Sequence, residues 1–274
     1  MTSEHRGRVP LAVLMDYDST ICLTAISDEI MKEDSIRPGW KEIDDAYVEG
    51  RMGSRENLEL FMPLLPADPA PLLATADRQP HDPAFVPFVE RARAAGVALE
   101  VVSDGFGFYV HRNLERMGVR AMAVATSRMT WPGEHPRIEF PFGHPQCLVC
   151  GTCKRERVRD YQAHGFHVAF VGDGFTDRYA AAHADTVIAK DDLVGVCEAA
   201  GIAFVPWRTF ADVGAWLDAV LAEPDRLAPP RARPFICGPE VWGPGVSVPP
   251  AGSIVNASAP SAGGGAIGPA DADL

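Results

Sequence analysis

Leu11-Ala-Val-Leu-Met15 is a five-residue apolar run that stops abruptly at Asp16-Tyr-Asp-Ser-Thr20. A short apolar run closed by polar turn residues reads as a parallel strand buried on both faces. Further strands follow at Val97 to Val102, Phe166 to Val171, Thr186 to Ala189 and Ile202 to Val205. Helical stretches separate them: Asp82 to Ala95, Phe106 to Met117, Lys154 to His164, Thr176 to His183, Asp191 to Ala200 and Phe210 to Leu221. Gly96, Gly118, Gly165 and Gly201 stand where helices should close. Ala121 to Phe142 is less regular and fits a hairpin. Strands alternating with helices predict an α/β fold, a doubly wound parallel sheet.

Two segments depart from that rhythm. From Ile26 to Leu65 the apolar residues fall at helical spacing (Ile26, Ile30, Met31; Leu58, Phe61, Met62, Leu65), broken by Pro38-Gly39 and Gly53. The expected organisation is a catalytic core of residues 1–21 and 81–227, with a helical insertion at 22–80. Beyond it, nine Pro and eight Gly fall among residues 228–274, a composition that predicts a disordered tail.

Composition narrows the function classes. The chain has 274 residues, is 47% hydrophobic and 23% charged, and carries a formal net charge of −12. That charge repels phosphate backbones on average and disfavours nucleic acid as a partner. No run approaches the roughly 18 apolar residues of a membrane span, and Met1 to Pro10 has no apolar signal core, so the cytoplasm is the expected address. Cys147, Cys150 and Cys153 cluster while Cys22, Cys197 and Cys237 stand alone, unlike a secreted disulfide scaffold. With His144, the cluster offers a possible Zn²⁺ site. Four ligands within ten residues and no distant second pair favour instead a loop of reduced thiols that places Lys154.

In an open parallel sheet, ligands bind beyond the carboxyl ends of the strands. Asp16 and Asp18 follow the first strand, and Ser103 and Asp104 the second. Lys154, one of only four lysines, opens a helix, and Gly172-Asp173-Gly174-Phe175-Thr176-Asp177 follows a later strand. Carboxylates gathered at one edge repel unless a hard cation neutralises them, which suits Mg²⁺. A carboxylate can attack phosphorus, and a hydroxyl and a lysine then fit around the phosphoryl oxygens. The Gly172 segment lacks the third glycine of a dinucleotide fingerprint.

These four motifs, in order over roughly Leu11 to Trp216, resemble those of haloacid dehalogenase superfamily phosphatases. The resemblance implies a Rossmann-like core with a small helical cap inserted after the first strand. It implies Asp16 as nucleophile and Mg²⁺ ligand. Asp18 would be acid and then base, with its backbone carbonyl on the metal. Thr20 would support the loop, Ser103 would bind the phosphoryl group, and Lys154 would orient the nucleophile. Asp173 would hold Mg²⁺, and Asp177 a metal water or Lys154. Gly105 would allow backbone approach to phosphate, and Asp104 would either line the site or cap the next helix.

The insertion resembles the type I cap of the phosphoserine phosphatase-like branch. Cys150-Gly-Thr-Cys153-Lys154, Ser103-Asp104-Gly105-Phe106 and Pro206-Trp207 resemble its methionine-salvage phosphatases. Phosphoserine phosphatases carry a Glu nine residues after the nucleophile, where this chain has Ala25, so phosphoserine is demoted. Among cap residues Trp40, Tyr47, Arg51, Met52, Arg55, Phe61 and Met62, the apolar ones suit a bundle core. One of Arg51 and Arg55 is expected to touch a small phosphorylated metabolite. Two other readings stay open. One is a phosphotransferase or phosphomutase using the same aspartyl-phosphate. The other is a catalytically silent scaffold that uses the cysteine loop and the tail.

Overall fold

The computed structural model describes residues 9–145, 147, 149–223 and 227. The 228–274 tail, and residues 1–8 and 224–226 of the expected core, therefore lie outside the described residues. In chain order the strands are β1 (Leu11–Met15), β2 (Ala98–Phe106), β3 (Ala123–Thr130), β4 (Arg137–Glu139), β5 (His167–Gly172), β6 (Thr186–Ala189) and β7 (Val205–Pro206). They form one sheet ordered β4-β3-β2-β1-β5-β6-β7, parallel except for the β3–β4 hairpin. β1 is central because it is apolar at every position: Leu11, Val13 and Met15 join one hydrophobic layer, and Ala12 and Leu14 the other.

The helices are α1 (Ile26–Asp34), α2 (Trp40–Val48), α3 (Ser54–Phe61), α4 (Ala70–Arg78), α5 (Phe85–Ala94), α6 (Gly107–Arg116), α7 (Lys154–Ala163), α8 (Arg178–His183), α9 (Asp191–Ala200) and α10 (Phe210–Ala222). α1 to α4 occupy the chain between β1 and α5. Their Ile26, Ile30, Leu58, Phe61, Leu72 and Ala76 belong to the same apolar layer as Met15, Phe85, Val101 and Phe106. The two chain crossings into this insertion run side by side. Leu23 N–H donates to Pro80 O at 2.8 Å, Asp82 N–H to Ile21 O at 3.0 Å, and Thr24 Oγ1 to Gln79 Oε1 at 2.9 Å.

Two boundaries differ from the sequence expectation. β2 continues four residues past Val102, and its register against β3 shifts between Val102 and Phe106. Ser103, Asp104 and Gly105 thus lie on a bulged strand and not in a following loop, and α6 starts only at Gly107. The last strand is the two-residue Val205–Pro206, since Ile202 and Phe204 pack on the second apolar layer without pairing.

α7, which carries Lys154, is fixed to the sheet by charge. Arg157 Nε and Nη2 donate to Glu100 Oε1 and Oε2, both at 3.0 Å, in a bidentate pair on a 2% exposed Glu100. Breaking such a pair by removing one partner costs about 3–5 kcal/mol, because a charge is left in the interior.

Candidate active site

Parallel register brings the strand ends to one edge. Met15 pairs with Val101 of β2 and Val171 of β5, and Asp16 N–H donates to Val171 O at 3.0 Å. Asp16 and Asp173 therefore leave β1 and β5 beside the bulge of β2 that carries Ser103. Ligand oxygens of Asp16, Asp173 and Asp177 all lie within 4.8 Å of one another, the one such convergence of His, Cys, Asp or Glu among the described residues.

Lys154 sits inside this cluster. Its Nζ donates to Asp16 Oδ2 at 2.7 Å, Asp177 Oδ1 at 2.8 Å and Thr176 Oγ1 at 3.3 Å, which uses all three ammonium hydrogens. Burial pulls its pKa down, but the facing charges of Asp16 and Asp177, with Asp104 beyond them, outweigh burial and hold it well above the usual lysine value. Tyr17 N–H donates to Asp16 Oδ1 at 2.7 Å. Even so, burial and the neighbouring Asp177 push Asp16 well above the usual carboxylate range. Thr20 Oγ1 donates to Asp173 Oδ1 at 2.5 Å. Burial and Asp177 push Asp173 up to about 7.

Asp177 is gripped from the backbone, its Oδ2 accepting Asp173 N–H at 3.1 Å and Gly174 N–H at 3.2 Å. A Cβ on Gly172 would lie 2.2 Å from that Oδ2, so this position must be glycine for the turn to close. The donor set is hard, anionic and oxygen-only, with one ammonium against three carboxylates, and it fits a divalent cation such as Mg²⁺.

Asp18 points elsewhere. Its Oδ1 accepts Ile26 N–H at 2.9 Å and its Oδ2 accepts the Tyr109 hydroxyl at 2.5 Å. Burial pushes it up to about 6, against the pull of those two donors. Its side chain is thus outside the cation cluster, and any metal contact from this residue falls to its backbone. Ser103 is buried, and its Oγ accepts Gly105 N–H at 3.0 Å.

Several expected contacts are not brought to the cluster. Asp104 spans the insertion and the core, with Oδ2 accepting Ser54 Oγ–H at 2.6 Å and Oδ1 accepting Thr152 N–H at 2.6 Å. It serves as a clamp, with both oxygens spoken for. Arg51 is exposed and pairs with Glu49, and Arg55 lies over the Phe140 ring at 5.0 Å. Neither guanidinium joins the carboxylates: Arg51 lies between α2 and α3, outside any helix, and α3 turns Arg55 to the segment before α7.

The zinc alternative, already second to a loop of reduced thiols, finds no support. No three ligating atoms converge at Cys147, Cys150, Cys153 and His144 among the described residues. A hydrogen bond from Cys150 instead lowers the Cys147 thiol to about 6, while burial raises Cys153 to about 12. The loop works through its backbone. Val149 O accepts Arg55 N–H at 2.9 Å, and Gly151 N–H donates to Ser54 Oγ at 3.2 Å.

Four side chains at the site escaped the sequence reading. Tyr109 and Thr176 are described above, and Ser54 completes the clamp. Lys190, at the end of β6, lies 4.4 Å from the Trp207 ring centroid and draws Asp173 down electrostatically. Its place after a strand and the scarcity of lysine were usable signals. Nothing in the sequence pairs Tyr109 with Asp18.

No protein-family model matches the chain. A 2-hydroxy-3-keto-5-methylthiopentenyl-1-phosphate phosphatase of an Exiguobacterium species is 30% identical over 215 residues, covering 76% of this chain and 97% of its own. The chain belongs to this family. A phosphatase of the same name from Geobacillus kaustophilus is 30% identical over 208 residues, covering 74% of this chain and 93% of its own. Among solved structures, a probable phosphoserine phosphatase from Vibrio cholerae superposes with TM-score 0.62 at 20% identity, over 81% of this chain and 69% of that one. A phosphoserine phosphatase solved as a phospho-aspartyl intermediate analogue gives TM-score 0.58 at 20% identity, over 76% of this chain and 98% of that one. The phosphatase has the haloacid dehalogenase fold, and it is a phosphoric monoester hydrolase. No described helix is long and apolar enough to cross a membrane.

Metal removal gives a signed expectation. In the metal-free protein Asp173, raised to about 7, holds a proton that its unfolded counterpart has already lost. Folding then takes up a proton between about pH 4 and 7, so this group's contribution to stability is lost as pH rises through that window. A divalent cation bound at this carboxylate would have to displace the same proton. The rise in Tm produced by saturating Mg²⁺ over chelator is expected to be small at pH 5.5 and to grow toward pH 8. Thermal scans across that range check it, and a gain that is flat or shrinks with pH would contradict it.

Proposed function

We propose that this phosphatase hydrolyses a small phosphomonoester in two displacements, through an aspartyl-phosphate on Asp16, with Mg²⁺ held by Asp16, Asp173 and the backbone of Asp18. The observation that carries the reading is the Lys154 ammonium bonded to Asp16 and Asp177 inside a three-carboxylate cluster. Bound Mg²⁺ would supply charge neutralisation between the carboxylates and the phosphoryl oxygens.

In the first displacement an Asp16 oxygen attacks phosphorus and the ester oxygen leaves, taking the proton of Asp18. In the second, water attacks the phospho-Asp16 phosphorus, Asp18 takes its proton, and the Asp16 carboxylate leaves with inorganic phosphate released. Burial supports Asp18 in both roles, since a carboxyl near 6 exchanges a proton readily close to neutral pH. In this reading Ser103 Oγ and the Lys154 ammonium would meet the phosphoryl oxygens as they gather charge. The helices between β1 and α5 would act as a cap, and the Ser54–Asp104–Thr152 clamp adds polar bonds to the apolar layer that joins it to the core. Closure would exclude bulk water.

Curated relatives name the 2-hydroxy-3-keto-5-methylthiopentenyl 1-phosphate as their substrate, and we assign the same substrate here. Ala25 offers no carboxylate to a substrate ammonium, which speaks against phosphoserine. Phosphate release should be measured on that compound, phosphoserine, sugar phosphates and nucleoside monophosphates, with Mg²⁺ and with excess chelator. Metal-dependent release is expected, stoichiometric with substrate consumed and with the methylthiopentenyl ester preferred at least tenfold. Substoichiometric phosphate would favour a phosphotransferase, and preference for phosphoserine would overturn the substrate assignment.

A further inference from the structure

We infer that Tyr109 is a positioning residue for Asp18, holding the acid–base carboxyl at the angle from which it serves the leaving oxygen. This rests on the reading of Asp18 as the acid. Tyr109, on the first turn of α6, is fully buried, and its ring is fixed between Tyr17, Phe106 and Phe108 at centroid distances of 5.9, 5.9 and 5.4 Å. A buried phenol needs a hydrogen-bond partner, and its hydroxyl meets Asp18 Oδ2 at 2.5 Å.

Gly105 provides an independent sign that the pair is built in. A Cβ there would lie 2.1 Å from Tyr109 Oη and 2.5 Å from Asp18 Oδ2. The backbone of the β2 bulge runs so close to this hydrogen bond that no side chain fits. Gly105 thus makes room for the Tyr109–Asp18 pair, where the sequence suggested room for phosphate. With Ile26 N–H on Oδ1, each carboxyl oxygen has one fixed donor, and rotation about the Cβ–Cγ bond is restrained.

The Tyr109 proton is not transferred. When Asp18 gives its own proton to the ester oxygen, the hydroxyl stays and holds the carboxylate that forms. It bonds that carboxylate more strongly than the acid, so it favours the transfer as well as the geometry. When water attacks the phosphoenzyme, the same carboxylate is already aimed to accept the proton.

Leaving-group dependence separates this role from a packing role. An alkyl phosphate needs its leaving oxygen protonated, whereas 4-nitrophenyl phosphate releases a stable phenolate. For Asp18→Asn, kcat/KM on an alkyl phosphate should fall by about 10²-fold or more, and on the aryl ester far less. Tyr109→Phe keeps the ring and should lose about tenfold in kcat/KM on the alkyl ester. KM should barely change, and the aryl ester should lose less than about threefold. Gly105→Ala, which wedges a methyl between Oη and Oδ2, should show the same asymmetry and serves if the Phe variant folds poorly. Equal losses on both esters, or none, with the Asp18→Asn asymmetry intact would overturn the Tyr109 assignment alone. Loss of the asymmetry in Asp18→Asn would overturn the acid assignment, and Tyr109 with it.

Discussion

Asp16→Asn should reduce turnover by at least about a thousandfold while raising the melting temperature of the metal-free protein. The first half follows from chemistry: an amide oxygen is a poor nucleophile toward phosphorus, and no phosphoenzyme can form and hydrolyse by the same route. The second half follows from electrostatics. Burial and Asp177 raise the Asp16 pKa, and the Lys154 ion pair does not fully offset them. A carboxylate that resists ionising in the folded state costs stability near neutral pH, and a neutral isostere removes that cost. Acid quenching after brief exposure to phosphorus-labelled substrate should trap label on the wild type and none on the variant. Retention of a tenth of wild-type turnover would refute the nucleophile assignment.

The layout of this edge was legible because two simple rules act on few residues. An apolar five-residue run with charged residues immediately after it reads as a buried strand end, and β1 ends where that reading put Asp16. Parallel strands put Asp173 beside it, and a helix start put Lys154 above it. Ser103 was placed at the right edge for an incomplete reason, since β2 runs on through it and a bulge turns the strand there. Contacts set by helix docking were not legible. Arg51 and Arg55 share a helical spacing with other cap residues, but spacing does not say which face meets the cleft, and Arg55 stacks on Phe140. Asp104 looked available to a ligand until Ser54, fifty residues away, was seen to bond it. Tyr109 was hidden for the same reason: its partner is 91 positions earlier in the chain.

Lys154→Met should be nearly as damaging as loss of the nucleophile, for a different reason. The methionine fills a similar volume in a pocket where Lys154 is 3% exposed, so packing survives. What disappears is the ammonium that bonds Asp16, Asp177 and Thr176 together. Asp16 and Asp177 would then face each other and Asp173 without a fixed cation, and Asp16 would move further toward its protonated, non-nucleophilic form. The transition state would also lose a preorganised positive charge. Removal of one such stabiliser costs on the order of 10²–10³ in kcat, and the Asp16 protonation adds to it. Lys154→Arg should not rescue, because a planar fork cannot place three donors around one point in a buried site. The metal-free Tm of Lys154→Met should drop, and Mg²⁺ should restore more stability than in the wild type, since it becomes the sole neutralising charge between these carboxylates. Steady-state kinetics paired with thermal scans with and without Mg²⁺ would show both effects. A variant keeping a tenth of wild-type kcat would mean that the metal alone carries the neutralisation, and that the buried lysine serves the fold.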